Sequence, residues 1–330
     1  MSERAATFVR RRLLPAVVFV VAILVPTVTA CGPASPEQQN RRHGGELTID
    51  HQFGETTVAG HPHRIVSMNP AWTDALAGLH QPITAEFFSQ GFSGSHGSFP
   101  WTPRHRAEIV TMSGKTIPYE KVAAVKPDLI LAGYQNKNSY QRLSEIAPTI
   151  PVMTKNAILD GWQDITTTAG RILGKEDEAR SLVDNANAKI ADFREHFSGT
   201  SGKTFSFGQF TGTQFGLVTA ETDPAARVLT SLGLKLNPIA KEKSRGATRV
   251  LVSPENMDVL DSDLLLMWPL GDKARALEKM PGWNKLTAVH KRTAVMLDDQ
   301  TAMAFSSPSV TSIPWALDHL LRAAFERLAA

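Results

Sequence analysis

Apolar and polar positions along this chain switch repeatedly between a two-residue and a helical period, the pattern of strands alternating with helices. Leu47 to Val58 turns about Gly54 and predicts a hairpin, and Ile65-Val66-Ser67-Met68 predicts a short buried strand. Asn69-Pro70 stops that strand and opens a helix from Ala71 to Leu79. Tyr119 to Val125 reads as an amphipathic helix with Val122 and Val125 on one face, stopped by Pro127 and followed by the buried strand Leu129-Ile130-Leu131. Pro254 to Leu266 echoes it: Glu255 stands where Glu120 does, Met257 and Leu260 repeat the offsets of Val122 and Val125, and an Asp again precedes an aliphatic triplet. The repetition predicts two similar α/β lobes.

Between the copies lies a long helical stretch. Trp162 to Leu173 forms one helix closed by Gly174, and Lys175-Glu176-Asp177-Glu178 opens another. Its apolar positions Ala179, Leu182, Val183, Ala186, Ile190, Phe193 and Phe197 recur at helical spacing. A helix of about 20 residues is about 30 Å long and can bridge two lobes as a strut. Beyond it, Phe205 to Phe210 begins the second lobe and a helix runs from the Asp223-Pro224 region to Leu232-Gly233. Leu264 to Met267 and Ala294 to Leu297 are strands, and a helix from Ile313 to Leu328 packs through Leu317, Leu320, Leu321 and Phe325. The division is a leader over 1–30, a tether over 31–45 rich in polar residues, Pro and Gly, an N-terminal lobe over 46–158, a helical connector over 159–198 and a C-terminal lobe over 199–330.

The leader changes the electrostatic picture. Arg10, Arg11 and Arg12 precede the apolar run Leu13 to Val25, which is too short and proline-interrupted to span a bilayer comfortably, so export is the reading. Val28-Thr29-Ala30-Cys31-Gly32 sets small residues before the single cysteine of the chain and resembles a bacterial lipobox, with Cys31 as the lipid-bearing residue. Diacylglycerol plus an amino-terminal acyl group such as palmitate supplies the more-than-one chain that stable anchoring needs. The arginines also partly resemble a twin-arginine signal, and the export route stays open. Residues 1–30 carry four arginines and one glutamate, so the whole-chain counts of 35 basic and 32 acidic residues become 31 of each once they are removed. Nucleic-acid binding, which needs clustered positive charge, loses its compositional support.

Several apparent motifs dissolve on inspection. His61 and His63 flank a proline, and the other histidines show no metal-ligand spacing, so no metal site is expected. Gly199-Thr200-Ser201-Gly202-Lys203-Thr204 resembles a phosphate loop, but Phe197 replaces its first glycine and the helix precedes the strand. Gly91-Phe92-Ser93-Gly94 lacks the last glycine of a nucleophile elbow, and no catalytic nucleophile and base can be assembled. What remains is the stretch from Phe87 to Arg106, where aromatics alternate with Gly and Ser as in a ligand-facing loop. Ligands of open α/β sheets sit beyond the carboxyl ends of the strands, which places Tyr134 and Trp268 at the mouth.

Taken together, Pro62-x-Arg64-Ile65-Val66, Tyr119-Glu120 with Leu129-Ile130-Leu131, Leu143-x2-Ile146-Ala147-Pro148-Thr149, Leu173-Gly174-Lys175-Glu176 and Trp283 before a strand resemble the substrate-binding lipoproteins of bacterial iron–siderophore ABC importers. That helical-backbone class also includes cobalamin- and haem-binding members. The resemblance covers nearly all of residues 46–330 and implies an α/β fold of two Rossmann-like lobes joined by a long backbone helix, the class III periplasmic binding protein fold. It implies a monomeric, non-enzymatic protein without cofactor on the outer face of the bacterial plasma membrane, delivering a ferric siderophore to an ABC permease dimer. Haem or cobalamin is the alternative ligand, with Tyr134 available to haem iron. The permease-docking glutamates of the family match Glu120 and Glu255; the glutamate end of each repeat is expected to face the permease and the strand end the ligand. Aromatic walls with a few donors suit a ferric siderophore, and the candidates are Trp72, Phe92, Trp101, Tyr134, Arg245, Trp268 and Phe305. Trp72 fits a helix core equally well.

Overall fold

The computed structural model describes residues 42–43, 45–89, 99–112, 116–244 and 246–330. The leader, Cys31, most of the tether, Phe92 and Arg245 lie outside the described residues. Arg42–His43 (β1), which composition assigns to the tether, instead pairs with Glu46–His51 (β2), and β2 pairs with Gly54–Ala59 (β3) in a three-stranded antiparallel sheet. The β2–β3 turn is Gln52-Phe53, and Gly54 opens β3 just after it with a φ of +131° that is open to glycine alone.

The first α/β sheet is wholly parallel. Its strands are Ile65–Ser67 (β4), Ala85–Ser89 (β5), Glu108–Met112 (β6), Leu129–Gly133 (β7) and Thr149–Pro151 (β8), in the order β6-β5-β4-β7-β8. Burial on both faces explains why β4 and β7 read as continuous apolar runs. One face packs on Pro70–Gly78 (α1) and the β2–β3 hairpin through Ile49, Trp72, Leu76 and Leu129. The other is covered by Tyr119–Ala124 (α2) and Lys137–Ser144 (α3) through Val122, Ile130 and Leu143. Pro70 occupies the first turn of α1, and the Asn69 side chain accepts from the Ala71 and Trp72 amides, as the Asn-Pro pair predicts.

Trp162–Leu173 (α4) ends at Gly174 in the left-handed conformation (φ +67°), and Glu176–His196 (α5) runs straight on for 21 residues. Three acids at its start and Arg194 and His196 at its end complement the helix dipole. The two helices pack closely because position 170 is glycine. A Cβ there would stand 2.4 Å from the Ala179 Cβ and 2.9 Å from the Lys175 carbonyl oxygen, a clash with backbone that only displacement of α5 could relieve.

The second sheet differs from the first in one respect that the repeat does not announce. Thr204–Phe210 (β9) and Phe215–Val218 (β10) form an antiparallel pair, and Arg249–Val252 (β12) adds antiparallel to β10. With Lys235–Leu236 (β11) beside β9, Leu264–Pro269 (β13) and Ala294–Met296 (β14), the order is β12-β10-β9-β13-β14. The echo is also imperfect locally: Pro254–Leu260 is a 3-10 segment with a non-helical Asn256, where the first copy is an α-helix. The apolar offsets nonetheless bury Met257 and Leu260 as they bury Val122. The C-terminal helix begins at Ser312 and is interrupted by a π turn at Leu317–Leu321 before Arg322–Ala329.

Candidate functional site

All five strands of the first sheet end on one edge, and the loops leaving that edge carry the site. Gly133 closes β7 with φ +61°, and a Cβ at this position would lie 2.9 Å from the Asn69 side chain, so only glycine lets β7 end against the turn that opens α1. The next residue, Tyr134, is thrown outward and remains 61 % exposed. Opposite, the chain leaving β14 crosses to this edge: Ser307 and Pro308 line a cavity of about 10 Å³ together with Asn69, Trp72, Gly133 and Asp160. That volume holds about one water molecule.

The densest crossing centres on Asp74 of α1, whose carboxylate is buried to 1 % exposure. Trp101 Nε1 donates to its Oδ2 at 3.0 Å, Thr102 Oγ1 to its Oδ1 at 2.6 Å, and Ser309 Oγ from the segment after β14 to Oδ2 at 2.5 Å. An aromatic series runs the same way. Phe88 meets Phe99 edge-on, Phe99 stacks on Trp101 at 4.9 Å, Trp101 tilts against Trp315 at 5.2 Å, and Trp315 stacks on His319 at 4.7 Å. Phe88, Phe99 and Trp101 share one apolar core with α5, Phe207, Trp268, Phe305 and the C-terminal helix. The aromatic loop read from the sequence therefore joins the two sheets at its described end.

Carboxyl groups dominate the electrostatics here. Burial raises Asp74 to about 6, against the pull of the Ser309, Thr102, Thr311 and Trp101 donors. Glu86 on β5 is raised to about 8, first by burial, with the Thr73 hydroxyl opposing and the Asp74 charge adding. His105 Nε2 lies 3.3 Å from Glu86 Oε2, yet neither makes an aligned hydrogen bond, and burial lowers His105. Both shifts keep the pair neutral near pH 7. Asp160 is raised by burial although it accepts from the Met153 and Thr154 amides at 2.9 and 2.8 Å. Among the described residues no three His, Cys, Asp or Glu side chains gather into a metal ligand set.

The sequence candidates divide accordingly. Trp101 lies at the junction itself. Trp268, at the end of β13, is 5 % exposed and donates through Nε1 to Asp299 Oδ1 at 2.8 Å, while Phe305 is wholly enclosed 6.2 Å from Phe207. Trp72 is fully buried in the α1 core. Tyr134 stands apart on the open rim, and Glu120 and Glu255 are exposed. Topology sets the glutamate end and the strand end of each repeat on one side of its sheet. Glu120 follows the end of β6 and Glu255 the end of β12; α2 then runs back against the strand direction, so each glutamate sits at the same sheet edge where β7 or β13 ends.

Asp74, Ser309, Trp315 and Glu86 were missed. The available signal was chemical: Asp74 is the one acid inside the apolar helix Ala71 to Leu79, and a buried acid requires partners.

The profile of the family described as periplasmic binding protein matches residues 65–301. A putative ABC transporter substrate-binding lipoprotein, YhfQ, of Bacillus subtilis is 25 % identical over 286 residues, 83 % of this chain and 87 % of its own. The Fe(3+) dicitrate-binding periplasmic protein FecB of Escherichia coli is 25 % identical over 266 residues, 78 % of this chain and 84 % of its own. Among solved structures, PiaA of Streptococcus pneumoniae in complex with ferrichrome superposes with a TM-score of 0.68 at 25 % identity, over 86 % of this chain and 97 % of that one.

Proposed function

The chain belongs to the periplasmic binding protein family, and from that premise we propose that it captures a ferric siderophore outside the plasma membrane and hands it to an ABC permease. Proteins of this family are binders rather than enzymes, and the iron arrives already chelated, as substrate. The observation that carries the reading is the junction of strand-end loops from both sheets, with Trp101 and Trp315 in contact across it, in a chain whose relatives include binders of ferric citrate and of ferrichrome. A ferric siderophore presents oxygen-rich surface around an apolar-edged metal complex, which aromatic walls and a few donors accommodate.

Titrating the purified mature protein with ferrichrome, ferric citrate and ferric enterobactin is expected to give saturable tryptophan quenching with at least one of them, at a Kd of about 1 μM or tighter. Absence of quenching by all three would sink the siderophore reading. Tyr134 supports a second reading, since its exposed phenol at the rim is the group a haem iron would take. A Soret shift on adding haemin, abolished by Tyr134→Phe, would favour that reading instead.

Anchoring belongs to the same proposal. Cys31 carries the lipid and Glu120 and Glu255 meet a permease dimer, one on each half, with the binding protein acting as a monomer. Cys31→Ser is expected to shift most of the protein from the membrane fraction to the medium or periplasm, read by immunoblot of fractions. An unchanged membrane fraction would refute lipid attachment at this residue.

A further inference from the structure

Asp74, on α1, is buried and bonded at once to the aromatic loop and to the segment after β14. Ser309 Oγ accepts from the Ser312 amide at 2.9 Å, which leaves its proton for Asp74, and Ser312 Oγ accepts in return from the Ser309 amide at 2.8 Å. This reciprocal pair starts the helix Ser312–Ala316, and that helix carries Trp315. The carboxylate thus holds Trp101 directly through its indole N–H, and holds Trp315 through Ser309 and Ser312. Trp101 and Trp315 then touch each other at 5.2 Å and close the circuit. The π turn that follows Trp315 and Ala316 brings His319 to stack on Trp315 at 4.7 Å, with Nδ1–H donated to the Trp315 carbonyl at 2.8 Å, which adds a second contact on the ring.

We propose that Asp74 is the positioning residue of the ligand cleft: its carboxylate clasps the two halves together and sets the paired rings Trp101 and Trp315 as one wall. The assignment rests on the reading of this junction as the ligand site, and it goes beyond the aromatic candidates themselves. Among the described residues no cation bonds to Asp74; its donors are the Trp101 indole and the hydroxyls of Thr102, Ser309 and Thr311, each of which needs an accepting oxygen to hold its place. An amide at this position offers a single acceptor oxygen and turns N–H groups toward Trp101 or Thr102. The titratable groups facing the cluster are Glu86 from β5, His105 from the segment after Thr102, and His319 from the π turn, and any pH response must be assigned against them.

The test uses the full mature chain with Asp74→Asn and, because that variant risks misfolding, Ser309→Ala, which removes the Ser309 arm and the acceptor of the Ser312 amide while the Thr311 hydroxyl stays on Asp74. In ligand-free protein at pH 7.5, hydrogen exchange is expected to accelerate together over 99–102 and 307–316 in Asp74→Asn, and over 307–316 alone in Ser309→Ala. The tryptophan emission of the wild type is expected to titrate near pH 6. That step persists in Glu86→Gln and His319→Gln and disappears in Asp74→Asn. Ferrichrome release, followed by stopped-flow recovery of quenching, is expected to be about tenfold faster in both clasp variants, the scale of losing a hydrogen bond to a charged group. Unchanged exchange in Ser309→Ala, or an emission step that survives in Asp74→Asn, overturns the proposal. If the wild type binds none of the three ferric complexes, the siderophore reading falls while the exchange and emission arms still decide the clasp.

Discussion

Replacing Glu120 and Glu255 together by alanine is expected to leave siderophore affinity within about twofold of the parent, since exposed side chains away from packing and hydrogen-bond networks contribute little to the folded state. Uptake in cells carrying the matching permease is expected to fall by at least about tenfold, because charges at a docking surface govern encounter and register with the partner. Both carboxylates are exposed, and each stands where a helical segment begins at the end of an edge strand, β6 on one half and β12 on the other. Two acids so placed can meet two equivalent subunits at once. On the proposed assignment the docking edge and the ligand edge coincide, since Glu120 and Glu255 follow strands that end where β7 and β13 end, so release of the ligand would take place at the surface that meets the permease. Single substitutions should give intermediate uptake. Loss of affinity in the double variant, with uptake falling in proportion, would assign the glutamates to the ligand site instead.

A second large effect concerns pH. Glu86 has an ordinary value of 4.5 and sits at about 8 in the folded protein, so between those values the folded state holds a proton that the unfolded chain has released. Stability is therefore greatest where both states are protonated and is lost as pH rises toward 8. From pH 6.5 to 8 the Glu86 loss is expected to reach about 1.6 kcal/mol, because the slope of about 1.4 kcal/mol per unit of pH for one proton halves as pH reaches the folded value. Asp74 acts with the same sign, but its effect is largely complete above its value of about 6. His105 and His51, both lowered by burial, act in the opposite sense and offset part of the loss near pH 6.5, where the unfolded chain still protonates them, so the comparison with Glu86→Gln isolates Glu86. Glu86→Gln, which mimics the neutral carboxyl beside His105, should flatten the profile over this range. Urea melts at both ends of the window give the comparison, and a wild type equally stable at pH 6.5 and 8 would show that Glu86 ionises at its ordinary value.

Periodicity and punctuation carried most of the local structure. Asn69-Pro70 starts α1, Gly174 closes α4 with its left-handed φ, and Asp223 caps the helix Pro224–Ser231 through the Ala225 amide. These are local effects of single residues on their own backbone, and a sequence states them directly. The repeat located both glutamates because its acid and apolar offsets survive even where the second copy folds as a 3-10 segment. What it could not show was the antiparallel β9–β10 pair, since strand direction depends on which neighbour supplies the hydrogen bonds.

The candidate site was legible only in part, for the same reason. Trp101 could be picked out from an aromatic, glycine-rich loop, and Tyr134 from its place after a strand. Trp72 and Phe305 present the same residue types, but burial encloses them in cores, a property of the packed neighbours. Asp74 and Ser309 lie 235 positions apart and meet at 2.5 Å. The sequence by itself determined the elements, the two-lobed α/β plan and the family, because these follow from residue periodicity and residue order. Only the tertiary structure decided which side chains meet where the two sheets join and that both glutamates lie at the edges where β7 and β13 end. Those facts depend on strands parallel to one another and on contacts between halves that are distant in the chain.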